Sequence, residues 1–224
     1  MHVCFFDIDG TLVRTGGAGR SAMEAALASE FGALDPPGDV PFSGRTDRAI
    51  ISDLLRGIDM PPTAANLGRC LHAYLRHLPD QLASRRGEVL PGIGNLLDRL
   101  GGLPAVALGL LTGNVRDGAR IKLSHYGLFG HFDFGGFGDL HENRNDVARA
   151  ALDEARQTLN TPLDVGRVWV VGDSPHDVRC ARSIGARAVA VATGWNTLEE
   201  LEAEQPDVLL ADLSDESRFL ALLD

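Results

Sequence analysis

The sequence has few cysteines and no long apolar run, and these absences exclude several classes of protein. Three cysteines occur among 224 residues, at widely separated positions, so the sequence offers neither a disulfide framework nor a zinc-finger spacing. No apolar stretch approaches the ~20 residues that a membrane-spanning helix needs. The N-terminus also lacks the basic start and apolar segment of a signal peptide. We therefore expect reduced thiols, a cytoplasmic location and no membrane partner.

Positive charge is also scarce. The chain carries 21 Lys and Arg against 31 Asp and Glu, a formal net charge of −10, and no basic stripe is visible. A protein that binds the nucleic-acid backbone needs the opposite balance, so we expect no nucleic-acid partner. What the sequence does have is 44% hydrophobic and 23% charged residues. This composition is typical of a globular core that needs no metal or disulfide for stability.

Short apolar runs bounded by Gly, Pro or Asp alternate with amphipathic segments along most of the chain. The runs predict buried strands at 3–8, 105–111, 168–171, 188–192 and 208–210. The amphipathic segments predict helices at 114–125, 146–159, 175–184 and 197–203. Unbroken apolar strands that alternate with helices indicate a parallel sheet covered on both faces. The predicted fold class is α/β, with a Rossmann-like parallel sheet.

Residues 20–86 interrupt this alternation, because they contain helical patterns and no strand-like run. The patterns predict helices at 21–31, 46–56 and 63–78, with Thr46 and Thr63 as N-caps and Pro79 ending the third helix. Glycine-rich segments flank the block at 15–19 and 87–94. We expect an inserted α-helical cap at 17–89, and a core formed by 1–16 and 90–224.

Two carboxylates follow the first predicted strand. Asp7 and Asp9 lie at the end of that apolar run, before a Gly-Thr turn. Ligands of open parallel sheets bind at the carboxyl ends of the strands, so this position favours a catalytic pair. The alternative is an Asp-Gly turn in which Asp7 merely caps the backbone.

A second strand ends in Thr112-Gly113-Asn114, at the start of a predicted helix. A hydroxyl, free backbone N–H groups and a helix N-terminus together suit an anion such as phosphate. The alternative is that Thr112 is an ordinary N-cap.

A third strand ends in Gly172-Asp173, and Asp177 follows one helical turn later. If Asp173 and Asp177 converge with Asp7, the oxygen donors suit Mg²⁺. The alternative is a capped helix whose acidic residues favour the N-terminal end of the dipole.

Together these three motifs resemble the haloacid dehalogenase-like hydrolases, and specifically their phosphatase branch. The resemblance rests on the DxDGT segment at 7–11, on Thr112 and on the GDxxxD segment at 172–177, which occur in the family's order. The insertion occupies the place of a C1-type helical cap. The loop at 43–47 is similar to that of phosphoglycolate phosphatase-like members, so the resemblance implies a small phosphorylated metabolite as substrate.

The resemblance implies a role for each motif residue. Asp7 would attack phosphorus and form an aspartyl-phosphate, while Asp9 would act as general acid and then as general base. Mg²⁺ would be held by Asp7, Asp173 and the Asp9 carbonyl, and Asp177 would orient these ligands. Family members that dehalogenate lack an acid at the position of Asp9, so dehalogenation is disfavoured.

The chain departs from the family where a Lys usually precedes the last motif. The basic side chain at the fitting place is Arg144, which could bind phosphate bidentately. The alternative is that Arg144 is a surface residue and that the cation comes from elsewhere, for instance from Lys122. In the cap, Arg45 could pair with a substrate carboxylate, or it could simply be exposed before a helix N-cap.

The same motifs are compatible with two other functions. A phosphomutase related to β-phosphoglucomutase would share Asp7 and Asp9, so these motifs do not separate it from a phosphatase. A non-catalytic binding or regulatory protein could retain the fold, but the intact carboxylates argue against it. We expect a monomer or a small homo-oligomer.

Overall fold

The buried apolar runs form a six-stranded parallel sheet at the centre of the protein. The computed structural model describes residues 1–35 and 37–223. Its sheet strands are β1 (His2–Phe6), β4 (Val106–Leu111), β5 (Phe134–Gly136), β6 (Val168–Gly172), β7 (Arg187–Val191) and β8 (Val208–Leu210), and a separate short pair is formed by β2 (Val13–Arg14) and β3 (Glu88–Val89). The large sheet has the order β5-β4-β1-β6-β7-β8. The α/β prediction is therefore confirmed, with β5 as a strand that the sequence patterns missed.

Helices cover both faces of this sheet. They are α4 (Ile93–Gly101), α5 (Arg116–His125), α6 (Arg144–Leu159), α7 (Pro175–Ser183), α8 (Leu198–Ala203) and α9 (Glu216–Leu220). Successive strand side chains point to opposite faces, so Phe6 packs into the cluster with α4, α5 and α9. Phe5 packs into the other cluster, with α6, α7 and α8. Both faces are thus apolar and buried, as a parallel sheet requires.

Three helices between β2 and β3 form a unit with its own apolar core, which we call the helical insert. They are α1 (Ala18–Phe31), α2 (Asp47–Gly57) and α3 (Ala64–Ser84), and they pack around a cluster that includes Met23, Ile51 and Tyr74. Thr46 and Thr63 accept hydrogen bonds from the third residue of α2 and of α3, which confirms both predicted N-caps.

The predicted end of the third helix before Pro79 is wrong. Helix α3 continues through this residue to Ser84. Pro79 removes one backbone hydrogen bond, but Leu78 and Leu82 on either side of it are buried in the insert core. Their burial keeps the chain helical, because tertiary packing outweighs local propensity here.

The chain leaves and re-enters the core at one place. Strands β2 and β3 pair antiparallel, with Val13 opposite Val89 and Arg14 opposite Glu88. Both ends of the insert therefore lie side by side, next to the loop at 7–12 that follows β1. The domain boundaries at 16/17 and 89/90 stay a prediction. None of the helices described is both long and apolar enough to cross a membrane.

Candidate active site

The three polar motifs meet at the carboxyl edge of the central strands. Strand β1 lies between β4 and β6, with all three parallel, so the residues that follow them share one edge of the sheet. Asp7 follows β1, Thr112 follows β4 and Asp173 follows β6, and all three are buried. This is the position at which open α/β sheets bind their ligands.

Three carboxylates form a buried acidic cluster. Asp7, Asp173 and Asp177 each place one oxygen within 4.8 Å of the others. The Thr11 hydroxyl donates to Asp173 Oδ1 at 3.0 Å, and the Ser174 hydroxyl donates to Asp177 Oδ2 at 2.6 Å. The structure thus places an Asp177 oxygen as near to the other two as they are to each other within this limit, whereas the resemblance gives Asp177 only an orienting role.

Burial makes this cluster electrostatically costly. It raises the pKa of Asp7 to about 6, with Arg144 acting against the rise and the charges of Asp177 and Asp9 adding to it. Burial and the charges of Asp177 and Asp7 also raise the pKa of Asp173 well above its ordinary value. Asp7 Oδ1 is buried without a hydrogen-bond donor. A set of converging oxygens with an unsatisfied member fits a hard divalent cation such as Mg²⁺.

Arg144 is buried against the acidic cluster. Its side chain is 6% exposed, and its guanidinium hydrogen-bonds Asp177 and lies 3.5 Å from Asp7 Oδ1. The alternative that Arg144 is a surface residue is therefore wrong. The residue is the first of α6, where the Asn143 side chain caps the helix. A planar cation with several donors can contact two carboxylates at once.

Lys122 is a second buried cation, and it faces the other motif carboxylate. Its ammonium donates to Asp9 Oδ2 at 2.6 Å and to Asn114 Oδ1 at 2.6 Å. Asn114 in turn donates through its Nδ2 atom to Asp9 Oδ2 at 2.9 Å. Burial lowers the pKa of Lys122, but the neighbouring carboxylates Asp9 and Asp47 outweigh it, so the pKa is raised overall. Helix α5 thus supplies a permanent positive charge beside Asp9.

The free amides predicted at the start of α5 are already hydrogen-bonded within the protein. The Asn114 amide donates to Thr112 Oγ1 at 3.3 Å. The next two amides donate to carboxylates, Val115 to Asp47 Oδ2 and Arg116 to Asp139 Oδ2, each at 2.9 Å. The expectation of a vacant helix N-terminus is therefore wrong for these three amides. The predicted contacts of Thr112 and Gly113 with substrate stay predictions.

Arg45 is engaged within the helical insert. Its guanidinium donates to Asp53 Oδ2 at 2.6 Å and to the Pro41 carbonyl at 3.2 Å. Arg45 and Arg144 both line a cavity of about 340 Å³ between insert and core, together with Glu142 and His176. The role of Arg45 in substrate binding stays a prediction, and in this structure its guanidinium pairs with Asp53.

Comparison with known proteins places these residues in context. Residues 4–191 match the model of a family described as haloacid dehalogenase-like hydrolase. A phosphoglycolate phosphatase of Synechococcus elongatus is 30% identical over 96% of this chain and 95% of its own length. A phosphoglycolate phosphatase of Rhodospirillum rubrum is 31% identical over 85% of this chain and 79% of its own.

The fold is also similar to solved structures. CbbY from Rhodobacter sphaeroides, solved in complex with phosphate, superimposes with a TM-score of 0.74 over 96% of each chain, at 21% identity.

The sequence is also similar to a pyrophosphatase of Bacillus velezensis, which is 25% identical over 94% of this chain and 92% of its own length.

Proposed function

Since this chain belongs to the haloacid dehalogenase-like hydrolases and is a phosphoric monoester hydrolase, we propose that it cleaves a small phosphomonoester through an aspartyl-phosphate on Asp7. The observation that carries the proposal is the meeting of Asp7, Asp173 and Asp177 with Arg144 at one sheet edge. A nucleophilic carboxylate beside a fixed cation suits attack on an anionic phosphate.

Asp7 and Asp9 divide the chemistry between them. An oxygen of Asp7 attacks phosphorus, the ester P–O bond breaks, and Asp9 gives its proton to the leaving alkoxide. Asp9 then takes a proton from water as that water attacks the phosphorus. The bond to Asp7 breaks, inorganic phosphate leaves, and Asp9 is protonated again for the next turnover.

The two buried cations neutralise charge on either side of this reaction. Arg144 lies against Asp7 and Asp177, and Lys122 lies against Asp9. We expect Thr112 and Gly113, at the end of β4, to orient the phosphate oxygens. Arg144 and Lys122 offset part of the charge of four carboxylates, and a bound Mg²⁺ would offset the rest, so in a chain of net charge −10 a small phosphate is favoured over a large polyanion.

The acidic cluster is proposed to hold Mg²⁺ through Asp7, Asp173 and the Asp9 carbonyl, with Asp177 adjacent. When bound, the ion supplies charge neutralisation that lets an anionic carboxylate approach an anionic phosphate. The helical insert is proposed to act as the cap that excludes bulk water from this edge.

The proposal is tested with p-nitrophenyl phosphate, with and without Mg²⁺. We expect metal-dependent release of phosphate and a loss of at least about 10³-fold in kcat for Asp7→Asn, because the amide is not a nucleophile. Asp98→Asn, an exposed change on α4, serves as the control. Turnover that is unaffected by Asp7→Asn would contradict the mechanism. A wild-type protein that releases no phosphate would favour the non-catalytic alternative.

The substrate is proposed from the relatives, several of which are named phosphoglycolate phosphatases. A screen should compare phosphoglycolate, pyrophosphate and sugar phosphates. Release of phosphate without any bisphosphate activator separates the phosphatase from the phosphomutase alternative. The cytoplasmic location and the oligomeric state stay predictions.

A further inference from the structure

The N-terminus of α2 lies across the core loop that leads into α5. The Asp47 amide donates to the Gly113 carbonyl at 2.7 Å, and Asp47 Oδ2 accepts from the Val115 amide at 2.9 Å. One residue of the helical insert therefore forms hydrogen bonds through both its backbone and its side chain to the segment between Thr112 and Lys122.

The same helix also contacts the loop that precedes Arg144. The Thr46 hydroxyl donates to the Glu142 carbonyl at 3.3 Å, and the Ser52 hydroxyl donates to Glu142 Oε1 at 3.1 Å. Helix α2 thus bridges two core loops, and each of them leads to one of the buried cations.

Two glycines allow this close approach. A Cβ atom on Gly113 would collide with the Arg45 carbonyl, and one on Gly138 would collide with the Gly113 carbonyl and lie 3.1 Å from Thr46 Cβ. Gly113 has no room for a side chain while the insert is docked, whereas the tightest contact at Gly138 is with the core itself. The backbone of the core is thus shaped to receive the start of α2.

Asp47 is an unusual residue to bury at such a junction. Its side chain is buried, and burial raises its pKa to about 6 despite the opposing effects of Lys122 and the Val115 amide. Helix α1 closes the other side of Lys122, since a Cβ on Gly19 would lie 3.4 Å from its Nζ atom. A buried carboxylate is costly unless it is hydrogen-bonded or near an opposite charge, and here the Val115 amide supplies the hydrogen bond while the Lys122 ammonium acts against the rise in pKa.

We propose that Asp47 is a positioning residue: it docks the helical insert on the start of α5 and thereby fixes Lys122 and Asn114 in the arrangement that faces Asp9. The inference rests on the proposed phosphatase function. Asp47 acts through the Val115 amide, at the start of the helix that carries Lys122, and it does not touch the reacting atoms. Docking of the insert and placement of the cation beside Asp9 then become a single event.

The kinetic test uses Asp47→Ala and Asp47→Asn with p-nitrophenyl phosphate and Mg²⁺. Asp139→Asn is the matched control, because Asp139 accepts from the neighbouring Arg116 amide on the exposed side of the same helix start. We expect Asp47→Ala to lower kcat about 10- to 100-fold with KM changed less than threefold, since supporting residues typically have effects of this size. Asp47→Asn, which keeps an acceptor for Val115, should recover part of the loss.

A double variant tests whether Asp47 acts through Lys122. In a Lys122→Met background, Asp47→Asn should change kcat less than twofold, because the cation that it positions is gone. Equal losses in both backgrounds would overturn the proposal. So would an Asp47→Ala variant with the kcat of Asp139→Asn.

Amide hydrogen exchange at Val115 gives a measure that does not depend on turnover. We expect exchange to be at least tenfold faster in Asp47→Ala and close to wild type in Asp139→Asn. If the wild-type protein releases no phosphate, the proposed function fails, and the exchange rate still decides whether Asp47 docks the insert. An unchanged rate at Val115 would overturn that docking.

Discussion

Arg144 and Lys122 are both buried, and each lies against a carboxylate that follows β1, Asp7 for Arg144 and Asp9 for Lys122, yet their surroundings differ. The charge partners of Arg144 are the core residues Asp7 and Asp177, which are both nearly inaccessible to solvent. Lys122 contacts Asp9, whose side chain is 39% exposed, and it lies under the helical insert near Asp47. Arg144 therefore lies at the edge of the sheet, whereas Lys122 lies at the junction between the core and the insert.

The difference matches the chemistry of the two side chains. The guanidinium is planar, remains charged when buried and can contact two carboxylates, which suits a fixed position inside the acidic cluster. The Lys122 ammonium is a compact charge on a flexible side chain. Such a side chain suits a position where its contacts adjust as the helical insert docks. Removing each cation should therefore affect stability and activity in different proportions.

The largest effect is expected for Arg144→Met. The change leaves Asp7, Asp173 and Asp177 buried together without their cation, so we expect the free energy of unfolding to fall by about 3–5 kcal/mol. Urea unfolding without added metal measures this loss. The phosphatase kcat should fall by about 10³-fold. Adding Asp177→Asn should restore part of the stability and none of the activity, and a stability loss below about 1 kcal/mol would contradict this role of Arg144.

Lys122→Met should cost less stability. Asp9 is partly exposed and can be hydrated once its partner is lost, and Met retains most of the apolar stem. We expect about 1–2 kcal/mol in urea unfolding. The kcat for p-nitrophenyl phosphate should still fall about 10²-fold, because Asp9 loses its adjacent charge. If the stability loss exceeds that of Arg144→Met, the contrast between the two cations is wrong.

The third prediction concerns the pH dependence of stability at the junction. The pKa of Asp47 is raised to about 6 in the folded protein, from 3.8. The folded state therefore binds more protons than the unfolded state between these values, so the contribution of Asp47 is fully present below about pH 4. It is lost as pH rises through about 6, by up to roughly 3 kcal/mol. Asp47→Asn should flatten the stability profile over this interval, while Asp139→Asn should leave it unchanged.

Much of the fold and of the site could be predicted because the signals are local. Asp7, Asp9 and Asp173 follow apolar strands directly, and parallel strands bring their carboxyl ends to one edge whatever the intervening sequence. The predictions of the family, of the fold class and of a phosphoric monoester hydrolase are confirmed.

The remainder depends on contacts between distant segments. Lys122 lies mid-helix without a motif around it, and only the packing of α5 under the insert turns its side chain towards Asp9. Asp47 reads locally as an acidic residue in the first turn of α2, yet its partner is the Val115 amide, 68 residues away. Strand β5 contains Gly135 and Gly136, so it carries too few apolar side chains for its pattern to predict a strand.

The antiparallel pair of β2 and β3 has a consequence for how such a protein diversifies. Because Arg14 and Glu88 are opposite each other, a two-residue hairpin turn could in principle join them and leave the parallel sheet intact. The two connections between the insert and the core are therefore adjacent. A shorter or longer element could replace the insert there without disturbing the strand order. Evolution can exchange the helical insert while Asp7, Asp9 and Asp173 stay where they are.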